Sequence, residues 1–308
     1  MRPLRIERII THVAGGPVAP ELYNRAFPLL RIHSPMPHFW LQVAVVFYSA
    51  GLLYALAGHS GWSKVLGRFI LPAVAIGTLF HFVALAEVVL STGQLTPVSV
   101  YHSESLLAFF LMLFFFGVYW RYKTPSPGII VFPVVFLLTL MAALGQDPPK
   151  FTSPLFRSGW IFMHIALIFC GYAALLFSFI SSIFYLLQER RLKAKDVGGN
   201  RLFSRLPALA VMDDIGLRSL IIGLPFMTVG LIAGSVLAQQ RFGPVFFRDP
   251  KVVLSLLMWA VYMVLLFTRW NAGWRGRRAA VLSTVAFLAA TVTWAANYIS
   301  SMHRFVNP

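Results

Sequence analysis

Two histidines and one aromatic loop carry the chemistry that this sequence suggests. The loop, Phe242-Gly-Pro-Val-Phe-Phe-Arg-Asp-Pro-Lys251, is wedged between two long apolar runs. His164 lies upstream of it and His303 downstream, each at the end of an apolar run. Neutral imidazole is a good ligand for iron, and aromatic rings can flank a flat macrocycle. Trp160 precedes His164 by four residues, which on a helix places both on one face. Phe242 and Phe246 offer further rings, although Phe cannot donate the hydrogen bond that an indole would. Arg248 and Lys251 can pair with carboxylates, and Asp249-Pro250 has the form of a helix start. Two imidazoles beside an aromatic platform fit an iron-centred macrocycle. The same residues also fit an aromatic belt at a membrane border.

The elements that position them are set by composition. Of 308 residues, 58% are hydrophobic and only 12% are charged, with a mean hydropathy of +0.74. Such a chain lacks the polar surface to cover a water-soluble globule, so lipid must be its main solvent. The net charge of +16 sits in short loops between apolar runs, which argues against a nucleic-acid binder. The single cysteine, Cys170, lies inside an apolar run. A disulfide framework and a Cys-x-x-Cys redox pair are therefore excluded.

Runs of about 20 apolar residues predict an all-α, polytopic membrane bundle of about eight transmembrane helices. They fall near 38–57, 69–91, 105–121, 128–145, 159–187, 217–238, 252–268 and 279–299. The runs are continuous rather than alternating, which disfavours a barrel. Residues 1–36 read as a polar, basic tail without the apolar core of a signal peptide, and residues 37–308 as the transmembrane domain.

Loops after odd-numbered spans hold fifteen Lys and Arg, against six in the opposite loops and C-terminal tail. The positive-inside rule assigns the fifteen-charge side to the cytoplasm. His164, the aromatic loop and His303 then share the outer face. The five arginines of the tail, Arg2, Arg5, Arg8, Arg25 and Arg31, fall on that outer side against the rule, which fits an interfacial element.

Other polar residues need their own reading. His81 falls near the middle of the second span, where an ionisable group is a functional suspect. It can ligate haem within the membrane, relay a proton to Glu87, or form hydrogen bonds across the bundle as a neutral ring. Glu104 reads as a partner for Arg157 or a helix-start carboxylate. Asp213-Asp214 reads as a helix N-cap, and Tyr262, Trp270 and Trp274 as interfacial anchors.

Several segments resemble the cytochrome c assembly proteins, the CcsA/ResC, HemX and CcmC group. Ser153 to Ala174, with Trp160, His164 and Gly171-Tyr-Ala, is similar to the start of that group's long helix. Glu104-Ser105-Leu106 matches its Tyr-Glu-Ser-Leu segment, and Asn297 to Phe305, with His303, is similar to its ending. The group's signature loop reads Trp-Gly-x-x-Trp-x-Trp-Asp-Pro-Lys-Glu. Here Phe242, Phe246 and Arg248 replace the tryptophans and Val252 the glutamate, while Asp249-Pro250-Lys251 remain. Phe267 stands where the following helix usually carries a histidine, so a second, inner haem site is expected to be weak or absent.

The resemblance implies a protein of cytochrome c biogenesis that holds haem b (heme b) at the outer membrane face for delivery to apocytochrome c. It implies His164 and His303 as axial ligands, with Trp160, Phe242, Phe246, Arg248 and Asp249 as further haem-contacting residues, to which the mid-span position adds His81. It also implies a ResB-like membrane subunit and a thiol-reducing protein as partners. The protein would be at most one part of a cytochrome c synthase complex in a bacterial plasma membrane. The degenerate loop equally fits a HemX-like regulatory or scaffold protein, without catalysis and with weak or no haem binding.

Overall fold

A backbone in hydrocarbon must satisfy its own N–H and C=O groups, and a helix does so within one segment. The computed structural model describes residues 39–57, 63–92, 96–97, 99–145, 159–194 and 207–296. Each expected span is a helix there, and strands are absent among the described residues. In chain order these are α1 (Phe39–Leu56), α2 (Ser63–Thr92), α3 (Val100–Tyr122), α4 (Gly128–Leu144), α5 (Gly159–Lys193), α6 (Leu209–Phe242), α7 (Pro250–Trp270) and α8 (Arg277–Ala295). A 3-10 segment, Gly243–Arg248, joins α6 to α7. All but α4 are long and apolar enough to cross a membrane, and α4 is one residue short of 18. The tail 1–36 and His303 lie outside the described residues.

Local signals set the helix ends. Ser99 caps α3 by accepting the His102 N–H at 3.1 Å. Lys123 ends that helix in the left-handed region, with φ 53°. Asp249 caps α7, its carboxylate accepting the Lys251 N–H at 2.9 Å, and Pro250 occupies the first helical position, where its missing N–H costs nothing. Prolines 72, 133 and 225 lie inside α2, α4 and α6, where neighbouring helices can satisfy the carbonyls they release.

The core has two parts, and α5 belongs to both. One joins α1 to α6 around Tyr48, Phe115, Phe132 and Phe177. The other joins α5 to α8 around Leu175, Met227, Tyr262 and Leu265. Edge-to-face Phe115–Phe132 at 4.7 Å and stacked Phe179–Phe287 at 4.2 Å pack the first part. Tyr262 is not the expected interfacial anchor. It is fully buried, with its hydroxyl pressed on Gly223 and directed at the Leu220 carbonyl.

The α5–α6 pair positions the candidate site. Gly216, Gly223 and Gly230 of α6 recur every seven residues, the spacing that keeps one seam turned toward a partner helix. They face Ser181, Ala174 and Ile168 of α5 in antiparallel order. A Cβ on Gly230 would stand 3.0 Å from Ile168 Cδ1, so the close approach depends on glycine. Small residues serve membrane helices in this way because association there relies on packing rather than on escape from water.

Candidate functional site

Continuing the same ladder brings Gly234 of α6 against His164 of α5. The ring occupies the space where a Gly234 Cβ would be, with Nδ1 2.6 Å from that position. His164 Nδ1 also lies 2.6 Å from the Gly230 carbonyl oxygen. A carbonyl only accepts, so Nδ1 must carry the proton and Nε2 keeps its lone pair. An imidazole held through one nitrogen by a backbone carbonyl is the form in which histidine ligates metals, because the outer bond fixes tautomer and ring direction. The chain's own residues thus fit the demand that an axial haem ligand makes.

Other expected site residues gather at this end of the bundle. The Lys251 ammonium, on the first turn of α7, is close enough for its charge to act on the His164 ring. Arg248 closes the 3-10 segment and is exposed. Phe242 ends α6 and Phe246 lies in the 3-10 turn. Asp249 is buried, with its carboxylate spent at least in part on the cap of α7. Trp160 parts company with His164: it is 64% exposed, while the histidine turns into the α6 seam.

Two further expectations are corrected. Asp213 and Asp214 do not cap α6, which begins at Leu209 with Ala208 at its cap. They stand one turn inside, where Asp213 pairs with Arg269 of α7 at 2.7 Å. Asp214 accepts from Tyr122 of α3 at 2.7 Å and pairs with Arg218. Glu104 is not a helix-start carboxylate either, since Ser99 caps α3 and Glu104 is buried one turn further along. Phe267, placed at the position of the usual inner histidine, is 62% exposed. It faces away from the bundle, so the missing ligand would not have looked inward.

His81 is fully buried in α2 and belongs to a separate polar group with Tyr48, Thr78 and Ser105. Sequence reading missed Tyr48 and Thr78, and it missed Gly230 and Gly234. The signal for Gly230 was present as the seven-residue repeat of Gly216, Gly223 and Gly230. A tyrosine and a threonine inside apolar runs carry no such pattern.

A bundle of apolar helices with a histidine bonded across its α5–α6 pair defines a polytopic membrane protein. The model of the cytochrome c assembly protein family matches residues 36–302. The chain belongs to that family. It is similar to the cytochrome c biogenesis protein CcsA of Guillardia theta, 24% identical over 295 residues, covering 89% of this chain and 94% of that protein. It is also similar to the CcsA of Thermosynechococcus vestitus, 27% identical over 290 residues, covering 80% of this chain and 90% of that one. These matches support a role in cytochrome c biogenesis within a membrane.

Proposed function

We propose that the protein holds haem b at the membrane face bearing His164 and His303 and presents it to apocytochrome c. The observation that carries this reading is the His164–Gly230 hydrogen bond, which leaves Nε2 as a fixed lone-pair donor. His164 and His303 are the proposed axial ligands. Phe242 and Phe246 of the aromatic loop would contribute apolar contacts to the haem, and Arg248 and Lys251 would pair with its carboxylates. Bound haem supplies vinyl groups that react with the thiols of a Cys-x-x-Cys-His apocytochrome. The chain's part is to bind and orient it, while a ResB-like subunit and a thiol reductant complete the machinery. The charge asymmetry of the loops supports an outward orientation for this face, in our reading that of a bacterial plasma membrane.

A second reading, a HemX-like scaffold, draws on one observation: Phe242, Phe246 and Arg248 replace the tryptophans of the signature loop. The absorption spectrum of the purified protein separates the two. Haem handling predicts a strong band near the blue edge of the visible spectrum, reduced in His164→Ala and partly restored by added imidazole. Equal spectra for wild type and His164→Ala would overturn that reading and leave the scaffold.

A further inference from the structure

The α5–α6 seam has a polar site at its other end, about 25 Å along α5 from His164. There Arg269 of α7 donates twice through Nη2, to the Asp213 carbonyl at 2.9 Å and to its carboxylate at 2.7 Å. The Arg269 Nε–H is buried and, among the described residues, meets no acceptor. The Ser181 hydroxyl of α5 is likewise buried without a protein partner among them. A helical serine can turn its proton back onto the carbonyl four residues earlier. Ser182 does so, donating to Ser178 at 2.8 Å, but Ser181 does not. Arg269 and Ser181 line one small cavity, with Tyr185, Asp213, Gly216 and Gly276 in its wall. It leaves about 10 Å³ of room for the centre of a water molecule, near the ~10–15 Å³ at which one water fits. Glycine makes that room. A Cβ on Gly216 would stand 3.4 Å from Arg269 Nη1 and 3.6 Å from Ser181 Cβ, and one on Gly276 would meet the Tyr185 hydroxyl at 2.8 Å.

Charge and size choose the occupant. Asp213 balances Arg269, and Asp214 and Arg275 act on the same guanidinium with opposite signs. An anion there would meet the Asp213 carboxylate, and a cation the guanidinium. The occupant must be neutral, accept from Nε–H, bond a hydroxyl and be no larger than one water. We infer that this is a water site, in which one molecule bridges Arg269 Nε and Ser181 Oγ and so ties α7 to α5. The Tyr185 hydroxyl and the Asp213 carboxylate stand in the same wall, and a buried water makes about three hydrogen bonds in all. The water completes the buried ion pair: it satisfies two polar groups whose burial alone would be costly inside the bundle. The seam is thus held by a histidine–carbonyl bond at one end and by a hydrated ion pair at the other.

The sign of two stability changes tests the site, in full-length protein in lipid nanodiscs. Gly216→Ala puts a methyl into the cavity at ordinary contact distances. If the cavity were dry, that change would raise the thermal midpoint, because it fills a void and because Ala favours a helix over Gly. If it expels a water, it strands the Arg269 Nε–H, and the midpoint should fall by about 2–4 °C. Ser181→Ala should also lower the midpoint, whereas removing a hydroxyl that had no partner is neutral or stabilising. The double variant should lose no more than Gly216→Ala alone, because the water can be lost only once. A midpoint unchanged or raised in either single variant, or losses that simply add, overturns the water site. A direct reading needs no variant to fold. With nitrogen-15 arginine in the wild type, the slowest-exchanging Nε–H should show cross-relaxation with water, separated from hydrogen exchange in the rotating frame. Its absence overturns the site whatever the midpoints do. None of these readings involves haem, so the outcome is independent of the haem-handling proposal.

Discussion

His164 donates to the carbonyl of Gly230 at 2.6 Å, the same carbonyl that the Gly234 N–H meets in the helical ladder four residues on. The ring reaches it because it lies over Gly234, where any other residue would place a side chain. One glycine supplies the acceptor and the next supplies the room. The ligating form of His164 is therefore a property of the α5–α6 seam as much as of the histidine.

Gly234→Ala should accordingly displace the ring and lower haem content without touching a ligand. Overpacking of this kind costs about 1–3 kcal/mol. Gly117→Ala is the control, since nothing lies within 4 Å of its added Cβ. Haem per chain, read from the absorption spectrum, should fall only in the first variant.

His164→Ala should cost more haem than His303→Ala. His164 is already held by α5 and Gly230. Its removal therefore loses a ligand whose ring direction is fixed before haem arrives. Equal loss in both variants would argue against this ranking, and no loss in either would remove both as ligands.

Phe267→His should add no second haem, because the side chain at that position faces away from the bundle. A haem-to-protein ratio that doubles in this variant would show that Phe267 faces a site in the assembled protein.

Asp213→Ala should destabilise far more than Arg218→Ala. The Arg269 side chain is 3% exposed, and stranding a buried charge costs about 3–5 kcal/mol. The Arg218–Asp214 pair is open to its surroundings, and such pairs contribute little. Thermal midpoints in one detergent would give the order.

The number and placement of the helices were legible because hydropathy reports length directly. The sixth span reads 217–238, yet α6 runs from Leu209 to Phe242, since a search for apolar runs stops short of Asp213 and Asp214. Direction around each helix was not legible. Most of these helices are apolar on every side, so the sequence does not mark which face meets protein and which meets lipid. Tyr262 and Phe267 show the consequence. They lie five positions apart, about 140° around the helix, one fully buried and the other outward. The candidate site was half legible. Histidines in apolar runs attract attention by type, but their partners, the Gly230 carbonyl and the Tyr48 hydroxyl, come from other helices and become visible only when the bundle closes.

The hydrogen-bond chain through His81 also has an electrical meaning. A polar string inside a membrane protein endangers the ion gradient if protons can hop along it from one face to the other. This one runs from Ser105 through His81, Tyr48 and Thr78 and ends on the Val74 carbonyl, leading away from Glu87. A peptide carbonyl within a helix has no proton to pass on. The string therefore terminates at that carbonyl as an insulator does, and no proton is handed on beyond Thr78 along it.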